Sequence, residues 1–216
     1  MCVPRKMCAR ELAAHTGTSK PELWHLAVGR VRCSLEVETQ SNIMPKSLLP
    51  PKVLSELKRQ LNHELSAAQG YLAMSVWCAA QNQKGFARFF AKQAGEEREH
   101  AGKMINHLVD RGVAAKLEAQ PAPRQDFASL LEVALHAQAM EQANTQGINA
   151  VFEAALAAKD YPAQVLMHWF INEQVEEEAW AAELVDRVKG ASCAGSVSDL
   201  DRHVEKLLAG DGEKEG

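Results

Sequence analysis

The sequence is short of most features that announce a function. Its five cysteines, Cys2, Cys8, Cys33, Cys78 and Cys193, are odd in number and scattered, with no CxxC or CxxH spacing. That argues against a disulfide framework or a zinc site and points to a reducing compartment. There is no excess of one charge either: 24 Lys and Arg stand against 28 Asp and Glu, a net −4. This gives no basis for nucleic acid or an anionic membrane surface as a partner. No apolar run reaches the roughly 18–20 residues of a membrane-spanning helix, and no stretch sustains the alternation of a strand. What is left, with 24% charged and 46% apolar residues, is a soluble globular balance in an all-α chain.

Residues 1–47 read as an extension ahead of a single domain over 48–216. Arg5, Lys6, Arg10, Lys20, Arg30 and Arg32 are mixed with Glu11, Glu22, Glu36 and Glu38, without periodicity. There is no apolar h-region, so a secretory signal is not expected. The composition reads as disordered, or as an over-extended start with Met44 as the true initiator. A plastid or mitochondrial transit peptide is the alternative, against which the four glutamates count.

From Pro51 the chain is helix after helix. The first is expected over about 51–82, with Leu54, Leu57, Leu61, Leu65 and Leu72 as its apolar stripe. A short turn at 82–85 leads to a second helix, about 86–112, which Gly112 stops. Pro121 and Pro123 keep residues 113–125 out of a helix. A third helix over 127–158 and a fourth over 162–189 are joined at Asp160–Pro162, and a short fifth is expected over 197–209. Two short turns give two antiparallel hairpins. The long 113–125 link can cross the bundle, so that the second and third helices run parallel, as in bundles with one long crossover.

Glutamates interrupt the apolar stripes. Residues seven apart on a helix share a face to within about 20°. At that spacing Glu64 lies between Leu57 and Tyr71, Glu97 between Phe90 and Met104, Glu141 between Ala134 and Ile148, and Glu177 between Phe170 and Leu184. Counted from the turns, the two members of each hairpin differ in height by about one helical turn. Each long helix therefore aims one carboxylate at the middle of the bundle. His100 follows Glu97 by three residues and neighbours it. A glutamate on a helix is usually a solvated surface residue, as Glu56, Glu132 and Glu183 read, and a single one at an inward position is as easily one that flanks the stripe, but four at matched heights are poorly explained that way. Burying an ionised carboxylate costs several kcal/mol. Two iron ions would neutralise the four, and oxygen ligands with one imidazole suit iron better than zinc or copper.

Three strings, LNHELSAAQGYLAMS from Leu61, GEEREHAGKM from Gly95 and LMHWFINEQVEEE from Leu166, closely resemble the first, second and fourth helices of ferritins. The resemblance covers about residues 50–190. It implies a ferritin-like four-helix bundle with a short fifth helix. It also implies a di-iron centre in which Glu64, Glu97 and His100 hold one ion. Glu97 as bridge, Glu141 and Glu177, with Gln174 nearby, hold the other. Tyr71 matches a tyrosine that can supply an electron to the centre. Glu177 narrows the resemblance to the bacterial, non-haem type, which implies a third iron site from Glu96, Glu173, Glu176 and Glu177. On the residues alone, Glu173 and Glu176 are as well read as a solvated acidic face, and Trp169 as a packing residue.

Two departures shape the expectation. Trp180 stands where haem-binding relatives carry a second Glu-x-x-His histidine, and Arg98 where they carry the haem-ligating Met, so haem is not expected. Gln164 and Met167 occupy the positions of the acidic pair that lines the iron channel in animal ferritins, which leaves the entry route open. The string SVSDLDRHVEKLLAG, from Ser196, resembles the helix that closes the four-fold axis of the shell. The resemblance thus implies an iron-storage subunit with ferroxidase activity. It would oxidise Fe(II) with O2 or peroxide and keep the product as a ferric mineral inside a 24-subunit homo-oligomeric shell. A cytoplasmic setting is expected, or a plastid if residues 1–43 are a transit peptide. Two rivals are a small-oligomer di-iron oxidase or peroxidase of the rubrerythrin kind and a DNA-protecting mini-ferritin. The first usually brings a second Glu-x-x-His or a rubredoxin-like cysteine pair. The second brings interface ligands and a basic tail, where this chain ends in the acidic GDGEKEG.

Overall fold

The computed structural model describes residues 48–208; the expected N-terminal extension over 1–47 and the end of the chain beyond 208 lie outside the described residues. Helix α1 (Pro51–Ala80) begins with proline at its first position, where a missing N–H costs no hydrogen bond. Helix α2 spans Lys84–Asp110, α3 Leu130–Ala157, α4 Tyr161–Gly190 and α5 Ala194–Leu208. The third helix starts later than expected because Ser129 caps it. Its side chain accepts from the Glu132 N–H, while Glu132 accepts from the Ala128 N–H at 2.6 Å, a variant of the capping box. Asp160 caps α4 by accepting from the Ala163 N–H at 3.3 Å.

Three helices end in the same way. Asn82 (φ 61°), Gly112 (φ 75°) and Lys159 (φ 54°) adopt the left-handed conformation just past α1, α2 and α3. The next residue donates back across the last turn: Gln83 to the Cys78 carbonyl, Val113 to Leu108 and Asp160 to Ala155, each at 2.9 Å.

Helices α1 and α2 form one hairpin and α3 and α4 the other, with α1 also against α3 and α5 against α2 and α4. The crossover runs the length of the bundle along α1, where Asn62 donates to the Lys116 carbonyl and accepts from the Glu118 N–H. It delivers Phe127 edge-on to Trp77, with ring centroids 5.9 Å apart, near the far end of α1. Arg111 meets Asp160 at the opposite end through two hydrogen bonds of 2.9 and 3.0 Å. These contacts make α2 and α3 parallel, as the link length predicts.

Two apolar cores result. One gathers Tyr71, Met74, Cys78, Phe86, Phe90, Trp180 and Leu184 with Leu200 and Val204 of α5. The other gathers Val53, Leu57, Leu61, Met104, Leu108, Ile148 and Phe170. Leu72 does not belong to either and is 48% exposed. Tyr71 takes the inward heptad position, and the next residue lies about 100° further round the helix. Between the cores lies a belt of polar side chains.

Candidate metal centre

The belt holds the four glutamates, and all are buried: Glu64 is 0%, Glu97 2%, Glu141 0% and Glu177 6% exposed. Glu64, Glu97 and His100 each bring a ligand atom within 4.8 Å of the others. The His100 Nδ1 lies 3.5 Å from the Glu97 Oε2. Glu141 accepts from the Tyr71 hydroxyl and, at 3.4 Å, from the Gln174 side chain. Glu177 accepts at one oxygen, Oε2, from the Trp180 indole at 2.5 Å and the Gln93 amide at 3.2 Å. An indole N–H only donates, so Trp180 cannot ligate a metal as a histidine there could.

Among the described residues none of the four carboxylates pairs with Lys or Arg; apart from His100 their donors are neutral. Burial therefore raises them all. Glu64 lies well above the ordinary range, through burial first and then the Glu97 charge. Glu97 is pushed up to about 8 by burial, with Glu141 and Glu177 adding to it. The two carboxyls also act on each other, the Glu97 charge adding to the rise of Glu64. Burial also raises Glu141, against the hydrogen bonds from Tyr71 and Gln174. Glu177 is raised well above its usual value by burial and then by Glu141. Such a cluster either keeps protons or exchanges them for a cation. The donor set, carboxylate oxygens with one imidazole, fits iron.

Three further buried groups, Gln60, Gln93 and Asn144, escape the heptad reading of the glutamates. Each lies one helical turn from an inward glutamate: Gln60 from Glu64, Gln93 from Glu97 and Asn144 from Glu141. The same spacing relates Gln174 to Glu177. That i±3 or i±4 relation is the signal that finds them.

Of the groups expected at a third metal position, Glu96 is half-buried and paired with Lys92 at 3.0 Å. Glu173 is also half-buried, and both it and Glu96 raise Glu177, so these three are neighbours. Glu176 is exposed. Trp169 meets His100 edge-on at 5.5 Å, with the Lys103 ammonium 4.4 Å from its ring centre. Met167, at one of the channel-acid positions, is wholly buried inside the subunit. Gln164, at the other, donates to the Ala155 carbonyl at 3.2 Å.

A family model described as Ferritin, a ferritin-like domain, matches residues 54–191. The chain is 42% identical over 132 residues to a bacterial non-heme ferritin of Staphylococcus aureus, covering 61% of this chain and 80% of that protein. It is 39% identical over 139 residues to one from Staphylococcus saprophyticus, covering 64% and 83%. Among solved structures it is similar to the open pore ferritin of the archaeon Archaeoglobus fulgidus. The TM-score is 0.70 at 30% identity, over 72% of this chain and 96% of that one. A form of that protein engineered to be closed matches with TM-score 0.70 at 31% identity, over the same shares.

Proposed function

This chain belongs to the ferritin family of iron-storage proteins, in its bacterial non-haem type, and from that premise we propose that it is a ferroxidase as well as a store. Fe(II) is the substrate, O2 or peroxide the oxidant, and the ferric product is kept as mineral inside a 24-subunit shell of this one chain. One observation carries the reading: four buried carboxylates and an imidazole meet mid-bundle with, among the described residues, no lysine or arginine paired to them. Glu64, Glu97 and His100 would hold one ion. Glu97, Glu141 and Glu177, with Gln174 beside them, would hold the second. The electron transfer is the metal's chemistry; the protein supplies geometry, charge balance and a dry site.

Each carboxyl that takes an ion gives up its proton. The Tyr71 hydroxyl donates to Glu141, so an electron leaving the phenol can be matched by its proton moving to that carboxylate. Glu96, Glu173 and Glu176, with Glu177, form a third position for an ion leaving the pair. The setting is the cytoplasm. Among the described residues no helix is long and apolar enough to cross a membrane, and Cys78 and Cys193 are free.

Aerobic Fe(II) added to the metal-free protein should give a fast absorbance rise that saturates near about two irons per subunit, one for each place in a paired site. The double variant Glu97→Ala, His100→Ala should lose that phase, and its survival would remove the assignment. Electron micrographs should show hollow shells; a dimer would favour the rubrerythrin-like reading.

A further inference from the structure

We propose that Gln60 and Asn144 are positioning residues for the first iron ion, and that Gly147 is the residue that makes room for them. The inference rests on the di-iron reading above and goes beyond it. Gln60 is 0% and Asn144 1% exposed. The Gln60 Nε2 donates at 2.9 Å both to Glu64 Oε1 and to the Asn144 side-chain oxygen. Asn144 Nδ2 then donates to the other oxygen of Glu64 at 3.2 Å and to the Glu97 carboxylate at 3.4 and 3.5 Å. Two neutral amides thus run from α1 through α3 to α2, with their donors on the two carboxylates assigned to one ion.

The sense of the chain is fixed from outside. Arg59 donates to the Gln60 oxygen at 3.4 Å and to the Gly147 carbonyl at 3.1 Å. That turns the Gln60 oxygen outward and its N–H groups toward the site. The amide fits only because position 147 lacks a side chain: a Cβ there would stand 1.9 Å from the Gln60 Oε1 and 2.8 Å from its Cδ. Any larger residue would push the amide away before it disturbed the helices.

The physical consequence is preorganisation. Glu64 and Glu97 repel when ionised, and a metal arriving at unsupported carboxylates would have to gather them. Groups that hydrogen-bond a ligand hold it in its binding geometry and typically contribute about 10–100-fold to metal affinity. The second pair is supported separately: Glu141 by Tyr71 and Gln174, Glu177 by Gln93 and Trp180. Glu97 serves both ions, so the amides that separate them are Gln60, on Glu64, and Gln93, on Glu177.

The test is an anaerobic Co(II) titration of the assembled, metal-free full chain, followed by d–d absorbance, with melting temperatures taken alongside. Gln60→Met and Asn144→Leu keep shape and remove donors; each should weaken one of two binding steps by about tenfold or more, and Gln60→Met, whose amide touches Glu64 alone of the four carboxylates, should leave the other step within about twofold. Gly147→Ala, which touches no carboxylate, should reproduce the Gln60→Met loss, and it keeps the test alive if Asn144→Leu fails to fold. Gln93→Met should do the reverse, weakening only the step that Gln60→Met spares. Wild-type affinity in both Gln60→Met and Gly147→Ala would overturn the proposal. So would an equal fall in both steps tracking the melting temperature, the mark of a merely structural role. Wild-type Co(II) uptake that persists in the Glu97→Ala, His100→Ala variant would instead remove the di-iron reading itself, and this inference with it.

Discussion

Glu64, Glu97, Glu141 and Glu177 are all raised chiefly by burial, so what this cluster contributes to the metal-free fold is lost in alkali rather than in acid. A group whose pKa rises on folding stabilises the fold while protonated. That contribution is lost as pH climbs from the unfolded value, 4.5, through the folded one, about 8 for Glu97. His63, His107 and His136 are lowered, mainly by burial. Their effect has the opposite sign but is already complete above their unfolded value of 6.5. Between about pH 6.5 and 8.5 the carboxyls therefore dominate. The melting temperature of the metal-free protein should fall across that window. With saturating Co(II) it should hold or rise, because the metal takes the deprotonated form. Scanning fluorimetry of both forms checks this, and a metal-free curve flat in pH would contradict the buried carboxyl cluster. At this scale the inward glutamates were legible, since heptad spacing alone turns each toward the interior. Gln60, Gln93 and Asn144 were not: an uncharged amide on a helix gives no sign of burial until a glutamate one turn away has been placed. Leu72 misled because three-to-four spacing tolerates a residue at the edge of the stripe that the chain then turns outward.

The helix ends show what chain chemistry writes openly and what it hides. Pro50–Pro51, Gly112 and Asp160–Pro162 mark boundaries within a residue or two, because each forbids or favours one backbone conformation. Ser129 moved the start of α3 to 130 through a cap that competes with the apolar pattern beginning at Phe127. Lys159 gave no signal, yet it is left-handed at φ 54°, where a side chain costs about 1–2 kcal/mol. Lys159→Gly should raise the unfolding free energy by about 0.5–1 kcal/mol after the added freedom of the unfolded glycine is subtracted; urea denaturation measures it. Helix α5 depends on a glycine for a different reason. A Cβ on Gly85 would lie 1.6 Å from the Asp201 carbonyl oxygen, and the Phe86 N–H donates to the Asp201 side chain at 3.0 Å. Helix α2 has no cap of its own, so α5 provides one. Gly85→Ala should release α5 and leave the four long helices in place. Cys78, buried beside Asp201 with its thiol pushed up to about 12, should then become open to alkylation. Peptide mapping after iodoacetamide would read it; continued protection of Cys78 would mean that α5 stays docked.

For the molecule as a whole, crossover length alone predicted that α2 and α3 run parallel, because only a link of that size can return the chain to the far end. The tie that closes the opposite end was not legible. Arg111 and Asp160 lie 49 residues apart, and nothing in either says they meet. Asp160 is 5% exposed. Burial pushes its carboxyl up, but the Arg111 hydrogen bonds outweigh that and hold it below its usual value. Arg111→Met would leave that carboxylate buried without its partner, and should cost about 3 kcal/mol at pH 7, measured by urea denaturation.

The division of the belt between two hairpins also sets an order in time. As the chain leaves the ribosome, Glu64, Glu97 and His100 arrive on the first hairpin, while Asn144, which bridges the first two, and Glu141 and Glu177 come only with the second. An unfinished chain can keep its early carboxylates in water, so the repulsion among four of them is met only once the second hairpin has been made. By then both apolar cores can close around the belt together.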